Sequence, residues 1–233
     1  LMKYINKKLT IEKINFQKIA NKFGTPSYCY SYSKLRENII NFKKNFKSFS
    51  PLICFAVKSN TNVSLIREIK KFGLGADVVS VGELMMALKA GINPNKIVFS
   101  GVGKKNNEIK FAIEKKILLI NAESLSEVKE INKIAKLKNK IVSIGVRLNP
   151  NIDAKTLSQI STGKKENKFG VNRNTFYEII KYCKNSKNID LKCLSVHIGS
   201  QILDHKPYEI MLKAVNQILN KTDHQFEFID LGG

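Results

Sequence analysis

The chain has 233 residues, of which 43% are hydrophobic and 25% are charged, and it contains 13 glycines and 5 prolines. This composition is typical of a globular protein and excludes disordered, collagen-like and low-complexity chains. No apolar run approaches the roughly 18 residues that a membrane-spanning helix requires, so we expect no membrane partner. The four cysteines lack the spacing of zinc ribbons and disulfide frameworks, which favours a reduced, cytoplasmic compartment.

The strong positive charge is spread along the whole chain. The 40 Lys and Arg residues against 19 Asp and Glu residues give a net charge of +21, which first suggests a nucleic-acid partner. Only Arg36, Arg67, Arg147 and Arg173 are arginines, although arginine is the usual reader of phosphates and base edges. We therefore expect no nucleic-acid partner. The alternative, a nucleic-acid binder, predicts binding that weakens steeply with salt.

The elements predicted before residue 50 stand outside the pattern of the rest of the chain. Residues 1–11 are polar and lysine-rich, without the apolar run of a secretory signal. Residues 27–32 are predicted to form a short strand. A helix is predicted over residues 34–46, with Ser33 as its N-cap.

From residue 52 onward, apolar runs alternate with segments of helical period. In chain order, the predicted strands are 52–57, 76–79, 97–99, 118–121, 141–148, 191–197 and 226–231. The predicted helices are 63–72, 82–90, 107–115, 125–136, 175–183 and 208–219. This alternation is typical of parallel α/β folds, whose strands are apolar because helices cover both faces. It leaves two closures open: a doubly wound open sheet, and a (β/α)8 barrel that lacks its last strand.

Reactive side chains follow several of the predicted strands. In parallel α/β folds the ligand site lies at the carboxyl ends of the strands. The candidates there are Lys58, Asp77, Arg147, His197, Ser200, Gly232 and Gly233. Glycines and a serine can cradle a phosphate, and a lysine amine can form a Schiff base, so the set suits an anionic cofactor with a reactive carbonyl.

Each candidate also has an ordinary structural explanation. Lys58 could be a solvated lysine, and Asp77 could cap the helix that follows it. Arg147 could form a structural ion pair, and His197 could be a core histidine bonded to the backbone. Their shared position at strand ends is what favours a functional site.

Six motifs, in this order along the chain, resemble those of the fold-type III pyridoxal-phosphate decarboxylases. They lie at residues 55–60, 75–84, 145–150, 160–170, 197–201 and 230–233. The Ile-Ser-Thr-Gly element at 160–163, followed by Asn-Lys-Phe-Gly at 167–170, resembles the diaminopimelate decarboxylase branch. The resemblance extends from about residue 24 to residue 233.

The resemblance implies a fold and an organisation. The fold is expected to be α/β, an alanine-racemase-like (β/α)8 barrel truncated before its eighth strand and the C-terminal β-domain. Residues 35–233 would form the incomplete barrel, and residues 1–34 would belong to the β-domain. The chain ends inside a glycine motif, so we expect a fragment that has no decarboxylase activity alone. Lysine production by purified residues 1–233 would contradict this. The full-length protein is expected to be a homodimer.

The resemblance also implies residue roles and an activity. Lys58 would carry pyridoxal 5'-phosphate as a Schiff base, and His197 would lie over the pyridine ring. Ser200, Gly232 and Gly233 would bind the phosphate. Asp77 would lie near the Schiff-base lysine, and Arg147 near the cofactor. The implied reaction is decarboxylation of an amino-acid substrate, meso-2,6-diaminopimelate, to L-lysine and CO2.

One departure and two alternatives bear on this implied function. Leu157 stands where the family often has a histidine, so a polar contact near the site is expected to be missing. The first alternative is a sister decarboxylase acting on ornithine, arginine or carboxynorspermidine. The second is a non-catalytic barrel that binds pyridoxal phosphate for cofactor homeostasis.

Overall fold

The computed structural model describes residues 2–46, 48–151 and 169–232. The chain divides into two compact units, Leu1–Pro51 and Leu52–Gly233. The assignment of residues 1–34 to a β-domain stays a prediction. Among the helices of the described residues, none has both the length and the apolar character needed to cross a bilayer.

The first unit opens with a small antiparallel sheet that sequence patterning did not predict. Strand β1 (Met2–Ile5) pairs with β2 (Lys8–Ile11), which pairs with β3 (Ile14–Asn15). Both connections are two residues long, and all four of their residues have positive φ between 50° and 70°. Such turns match the twist of paired strands. Most of the strand residues are exposed, so the alternation of buried and polar positions that predicts a strand is weak here.

Two helices complete this unit: α1 (Phe16–Phe23) and α2 (Tyr32–Lys44). The predicted strand over 27–32 and the predicted N-cap Ser33 are both wrong. Ser31 is the N-cap of α2, with its Oγ accepting from the Lys34 amide at 3.0 Å. The Glu12 carboxylate accepts from the Ser31 hydroxyl and from the Ser33 amide at 2.5 and 2.6 Å, so contacts to a residue 19 and 21 positions earlier fix where the helix begins.

The second unit is a seven-stranded parallel sheet with its strands in sequence order. The strands are β4 (Cys54–Ala56), β5 (Gly75–Val78), β6 (Ile97–Phe99), β7 (Leu119–Ala122), β8 (Val142–Leu148), β9 (Ile189–Val196) and β10 (Phe228–Asp230). The helices are α3 (Val63–Lys71), α4 (Val81–Ala90), α5 (Asn106–Glu114), α6 (Leu125–Leu137), α7 (Arg173–Lys184) and α8 (Lys206–Leu219). The predicted strands and helices of this unit are confirmed to within a few residues at each end.

The main core lies between the outer face of the sheet and the helices. Leu84, Ile131 and Phe176 are fully buried on the inner faces of α4, α6 and α7, against strand residues such as Phe99 and Ile144. Burying each such side chain contributes about 1.5–3 kcal/mol. This packing explains why the strands are apolar and why the helices have one apolar stripe.

The sheet curls, which decides between the two closures left open by the sequence. Strands β7 and β10 are three positions apart in the sheet order, so a flat sheet would separate them by about 14 Å. Instead Asn121 Nδ2 on β7 donates to Asp230 Oδ2 on β10 at 3.0 Å. The described strands therefore form most of a barrel wall, as the expected truncated (β/α)8 fold requires.

The interior of the curled sheet is arranged in layers two residues apart along each strand, as the alternation of side chains dictates. The lower layer is apolar and consists of Cys54, Val98, Leu119, Cys193 and Phe228. The layer above it, called the interior polar layer, consists of Asp77, Ser100, Asn121, Ser195 and Asp230. Hydrogen bonds of 2.6 to 3.4 Å join its five side chains.

A bulge in β9 sets which of its side chains face the interior. Ile144 and Gly145 are adjacent on β8 but pair with Leu191 and Cys193, which leaves Lys192 as an extra residue. Leu191 therefore belongs to the outer core, whereas Cys193 belongs to the inner apolar layer. From the bulge onward, Cys193 and the alternate residues after it face inward.

Gly145 provides the space that the interior polar layer needs. A Cβ at this position would lie 1.9 Å from Asn121 Oδ1 and 3.1 Å from the Cys193 Cβ. Asn121 could not keep its place if residue 145 carried a side chain. By contrast, a Cβ at Gly103 would meet nothing within 4 Å.

We expect Gly145→Ala to lower the free energy of unfolding by about 1–3 kcal/mol, because the new methyl group displaces Asn121. Gly103→Ala is the matched control and should leave the midpoint of urea unfolding nearly unchanged. Equal midpoints for the two variants would contradict the proposed crowding at Gly145.

Candidate active site

Four side chains and one glycine lie at the strand ends, two residues beyond the interior polar layer along their strands. They are Lys58, Glu123, Arg147, His197 and Gly232, each placed by the same two-residue spacing that orders the layers below. This set includes four of the residues that the sequence predicted for the site. The carboxyl ends of the strands are where parallel barrels bind their ligands.

Lys58 lies in a short 3-10 turn, Val57–Ser59, directly after β4. The turn is closed by the Ser59 hydroxyl, which donates to the Ala56 carbonyl at 2.7 Å. The Lys58 side chain is exposed, and its charge acts on both Asp77 and His197. The structure thus presents a primary amine that a carbonyl compound could reach.

Asp77 lies on β5 in the interior polar layer and does not cap α4. That cap is Ser80, whose Oγ accepts from the Glu83 amide at 3.2 Å. Burial raises the pKa of Asp77 to about 6, although the hydrogen bond from Ser100 at 2.6 Å opposes the shift. Asp77 is therefore a carboxyl group that changes protonation near neutral pH.

His197 follows β9 and is half-buried. Burial, together with the charges of Arg147 and Lys58, lowers its pKa to about 4, although the charge of Asp230 opposes the shift. The ring is neutral at pH 7 and sits in a positive electrostatic environment. A Cβ at Gly232 would lie 2.5 Å from the ring Nδ1, so only glycine allows the chain to pass this close to His197.

Arg147 forms a buried ion pair, as its structural explanation anticipated, but one of its donors remains unused. Its Nη1 lies 3.2 Å from Glu123 Oε1, and the two side chains are only 12% and 3% exposed. The Phe169 ring lies against the guanidinium, with its centroid 4.9 Å from Cζ. Within the described residues, Arg147 Nη2 is buried without a hydrogen-bond partner, which is costly unless an anion completes the site.

Fewer contacts of the remaining predicted residues fall within the part of the chain that the structure describes. Ser200 is half-buried and follows Gly199, which has φ of 149°. The Gly232 amide donates to Asp230 Oδ1 at 2.9 Å, so it already has an acceptor. Gly233, Leu157 and the Ser-Thr-Gly element at 161–163 lie outside the described residues.

Sequence analysis did not single out four residues that organise the site: Ser100, Asn121, Glu123 and Asp230. Asp230 was noted only as part of a motif. The sequence signal for them was weaker, because each lies within or directly after a short apolar strand but only Asp230 belongs to a quoted motif. Asp230 lies two residues before the predicted Gly232, whereas Ser100, Asn121 and Glu123 are more than two residues from every predicted site residue.

A comparison with protein families decides the family. The pyridoxal-dependent decarboxylase family, through its pyridoxal binding domain, matches residues 32–233. The chain belongs to this family.

Relatives and solved structures of this decarboxylase family support the same family assignment. A diaminopimelate decarboxylase from Helicobacter pylori is 42% identical over 94% of this chain and 55% of its own length, and one from Aquifex aeolicus is 39% identical over 100% and 56%. The crystal structure of the H. pylori enzyme complexed with L-lysine has a TM-score of 0.85 at 43% identity, over 89% of this chain and 52% of that one. The chain spans about 55% of the length of the curated relatives it matches.

The residues present fit the pyridoxal phosphate that this decarboxylase family binds. An exposed amine is available at Lys58 for an aldehyde. The unpartnered Nη2 of Arg147 suits an oxyanion. The neutral His197 ring can lie against an aromatic ring without placing another cation beside it.

We expect His197→Gln to remove a loss of stability that the wild type undergoes as the pH decreases from about 6.5 to about 4. In this range the unfolded wild-type protein binds a proton at His197 that the folded protein does not, because the folded pKa is lowered to about 4. The free energy of unfolding of the wild type should therefore fall, relative to the variant, as the pH decreases from 6.5 to 4.

The measurement is the urea midpoint of both proteins at several pH values. Asp77 shifts stability in the opposite direction, but it is present in both proteins and cancels in the difference. Parallel pH profiles would show that His197 is not held neutral.

Proposed function

We propose that this protein uses pyridoxal phosphate to decarboxylate meso-2,6-diaminopimelate to L-lysine and CO2. The observation that carries the proposal is the convergence of three side chains at the strand ends of a curled parallel sheet: an exposed lysine, a neutral histidine and an arginine with one donor that has no partner among the described residues. It is supported by relatives named diaminopimelate decarboxylase at 39–42% identity.

Lys58 would hold the cofactor through its ε-amine. The turn after β4 keeps this amine at the mouth of the barrel, close to Asp77. The positive charge of Lys58 lowers the pKa of the Asp77 carboxyl, whereas burial raises it. A carboxyl group with pKa of about 6 can take or return the proton of an amine near neutral pH. In this proposal Asp77 manages the protonation of Lys58 when the substrate amine replaces it.

His197, Arg147 and the glycine turn would orient the cofactor. When bound, pyridoxal phosphate supplies an electron sink for the electron pair left by the departing CO2. His197 would cover one face of the ring and exclude water, and Arg147 Nη2 would bind an oxyanion. Ser200, Gly232 and Gly233 would bind the phosphate, for which the Gly232 amide must exchange its present bond to Asp230.

Three further features complete the proposal. Residues 1–34 contribute to a β-domain, and residues 35–233 form the barrel. The working protein is a homodimer in the cytoplasm, and nucleic acid plays no part in its activity.

Borohydride reduction in the presence of pyridoxal phosphate is expected to fix a phosphopyridoxyl group on Lys58. The protein should be produced from its natural reading frame and mapped by peptide mass analysis. Lys58→Arg keeps the charge but cannot form a Schiff base, so it should lose the label at this peptide. Lys110→Arg, at an exposed lysine on α5, is the matched control and should retain it. An unlabelled Lys58 in folded wild-type protein would rule out the mechanism.

Substrate assays separate the proposed activity from its alternatives. We expect CO2 release from meso-diaminopimelate to exceed release from ornithine, arginine and carboxynorspermidine by at least about tenfold in kcat/KM, since polar recognition of the distal group is a strong discriminator. Preference for one of the other substrates would favour a sister decarboxylase. Labelling of Lys58 without CO2 release from any of them would favour the cofactor-homeostasis barrel.

A further inference from the structure

Lys104 is a fully buried cation close to the site that the proposed mechanism does not use. Its side chain is 0% exposed. Its Nζ donates to the Gly101 carbonyl at 2.6 Å, the Asn121 carbonyl at 2.7 Å and Glu127 Oε1 at 2.8 Å. All three ammonium hydrogens thus have acceptors. The contacts join the loop after β6, the end of β7 and the first turn of α6.

From Lys104, hydrogen bonds continue in an unbroken chain to Arg147. The second carboxylate oxygen of Glu127 accepts from the Glu123 amide at 2.8 Å. The Glu123 carboxylate in turn contacts Arg147 Nη1 at 3.2 Å and accepts from the Gly170 amide at 3.0 Å. We call Lys104, Glu127 and Glu123 the support chain.

Stability alone does not account for this arrangement. A buried ion pair costs desolvation free energy, and well-packed apolar residues in the same place are often at least as stabilising. The charges of the support chain add a defined position for the Arg147 guanidinium, at which the support chain ends. There the guanidinium is fixed on one side by Glu123 and on one face by Phe169, while Nη2 has no partner among the described residues. An arginine that is free to move loses considerable side-chain entropy when it binds an anion, whereas one that is already held in place loses less.

We propose that Lys104, Glu127 and Glu123 are positioning residues that hold the Arg147 guanidinium beside His197, with Nη2 available to an oxyanion of the cofactor or of the substrate. The proposal rests on the proposed function for the identity of that oxyanion. The positioning itself is a property of the protein without ligand, so it can be measured separately.

The first test uses the protein without added cofactor. Lys104→Met removes the charge and the three hydrogen bonds while keeping an unbranched side chain. If Arg147 then moves away from His197, the pKa of His197 should rise by roughly half a unit or more, because the Arg147 charge lowers it in the wild type. The imidazole resonance can be followed by NMR and assigned with His197→Gln. An unchanged titration of His197 would overturn the proposal whether or not the protein is a decarboxylase.

Two control variants separate positioning from stability. Lys138→Met breaks an ion pair with Glu114 of similar length, 2.7 Å, whose side chains are 32% and 45% exposed; it should leave His197 unchanged. In the double variant Lys104→Met/Glu127→Met both buried charges are gone, so the unfolding midpoint should recover relative to Lys104→Met. The His197 titration should stay altered. If it returned to the wild-type curve together with the midpoint, the support chain would be structural only.

The second test identifies the oxyanion in the full protein. A roughly ten- to hundredfold loss of affinity for pyridoxal phosphate in Lys104→Met, measured by absorbance titration, would place Nη2 on the cofactor. An unchanged cofactor affinity with a similar rise in the KM for meso-diaminopimelate would place it on the substrate. If neither quantity changed, the oxyanion-binding role of Nη2, and with it that part of the proposal, would be refuted. If the wild type neither bound pyridoxal phosphate nor released CO2, the proposed function would fail, while the His197 titration would still decide the positioning.

Discussion

The hydrogen bond between Asn121 and Asp230 is the interaction on which the rest of the second unit depends. It spans the inside of the sheet between strands that are three positions apart, which only a curled sheet permits. Gly145 leaves the space in which the Asn121 side chain lies. Because the sheet curls, the carboxyl ends of β4 to β10 face a common space instead of following a straight edge. The lysine, histidine and arginine of the site meet there for that reason.

Burial shifts the two titratable groups nearest Lys58 in opposite directions, and both shifts reduce their charge near neutral pH. It raises the pKa of Asp77 and lowers that of His197. The charges of Lys58 and Arg147 then face the mouth of the barrel, with Glu123 paired to Arg147. An anionic ligand would meet these two cations in a partly desolvated space, where electrostatic attraction is stronger than in water.

The sequence was informative where local pattern determines structure and less so where a distant contact does. The strand Ile97–Phe99 was predicted to the residue because its apolar run is too short for a helix and is bounded by turn residues. Alternating tyrosines imitated a strand at 27–32, but Glu12 places the start of α2 there. Closure of the sheet depends on side chains 109 positions apart, Asn121 and Asp230, which no local pattern encodes. Lys58, Asp77, Arg147 and His197 were predicted because strand ends are visible in the sequence, whereas Glu123 was not singled out because its partner lies on another strand.

The bulge at Lys192 makes the length of β9 part of the site. Ahead of it, Leu191 faces the helices; beyond it, Cys193 and Ser195 face the interior and His197 continues the same alternation. Losing a single codon beyond the bulge, between Cys193 and His197, would invert inside and outside for the remainder of the strand. His197 would then turn toward the helices even though its codon was intact. Natural variation in this segment should therefore consist of substitutions, with insertions and deletions confined to the loops on either side.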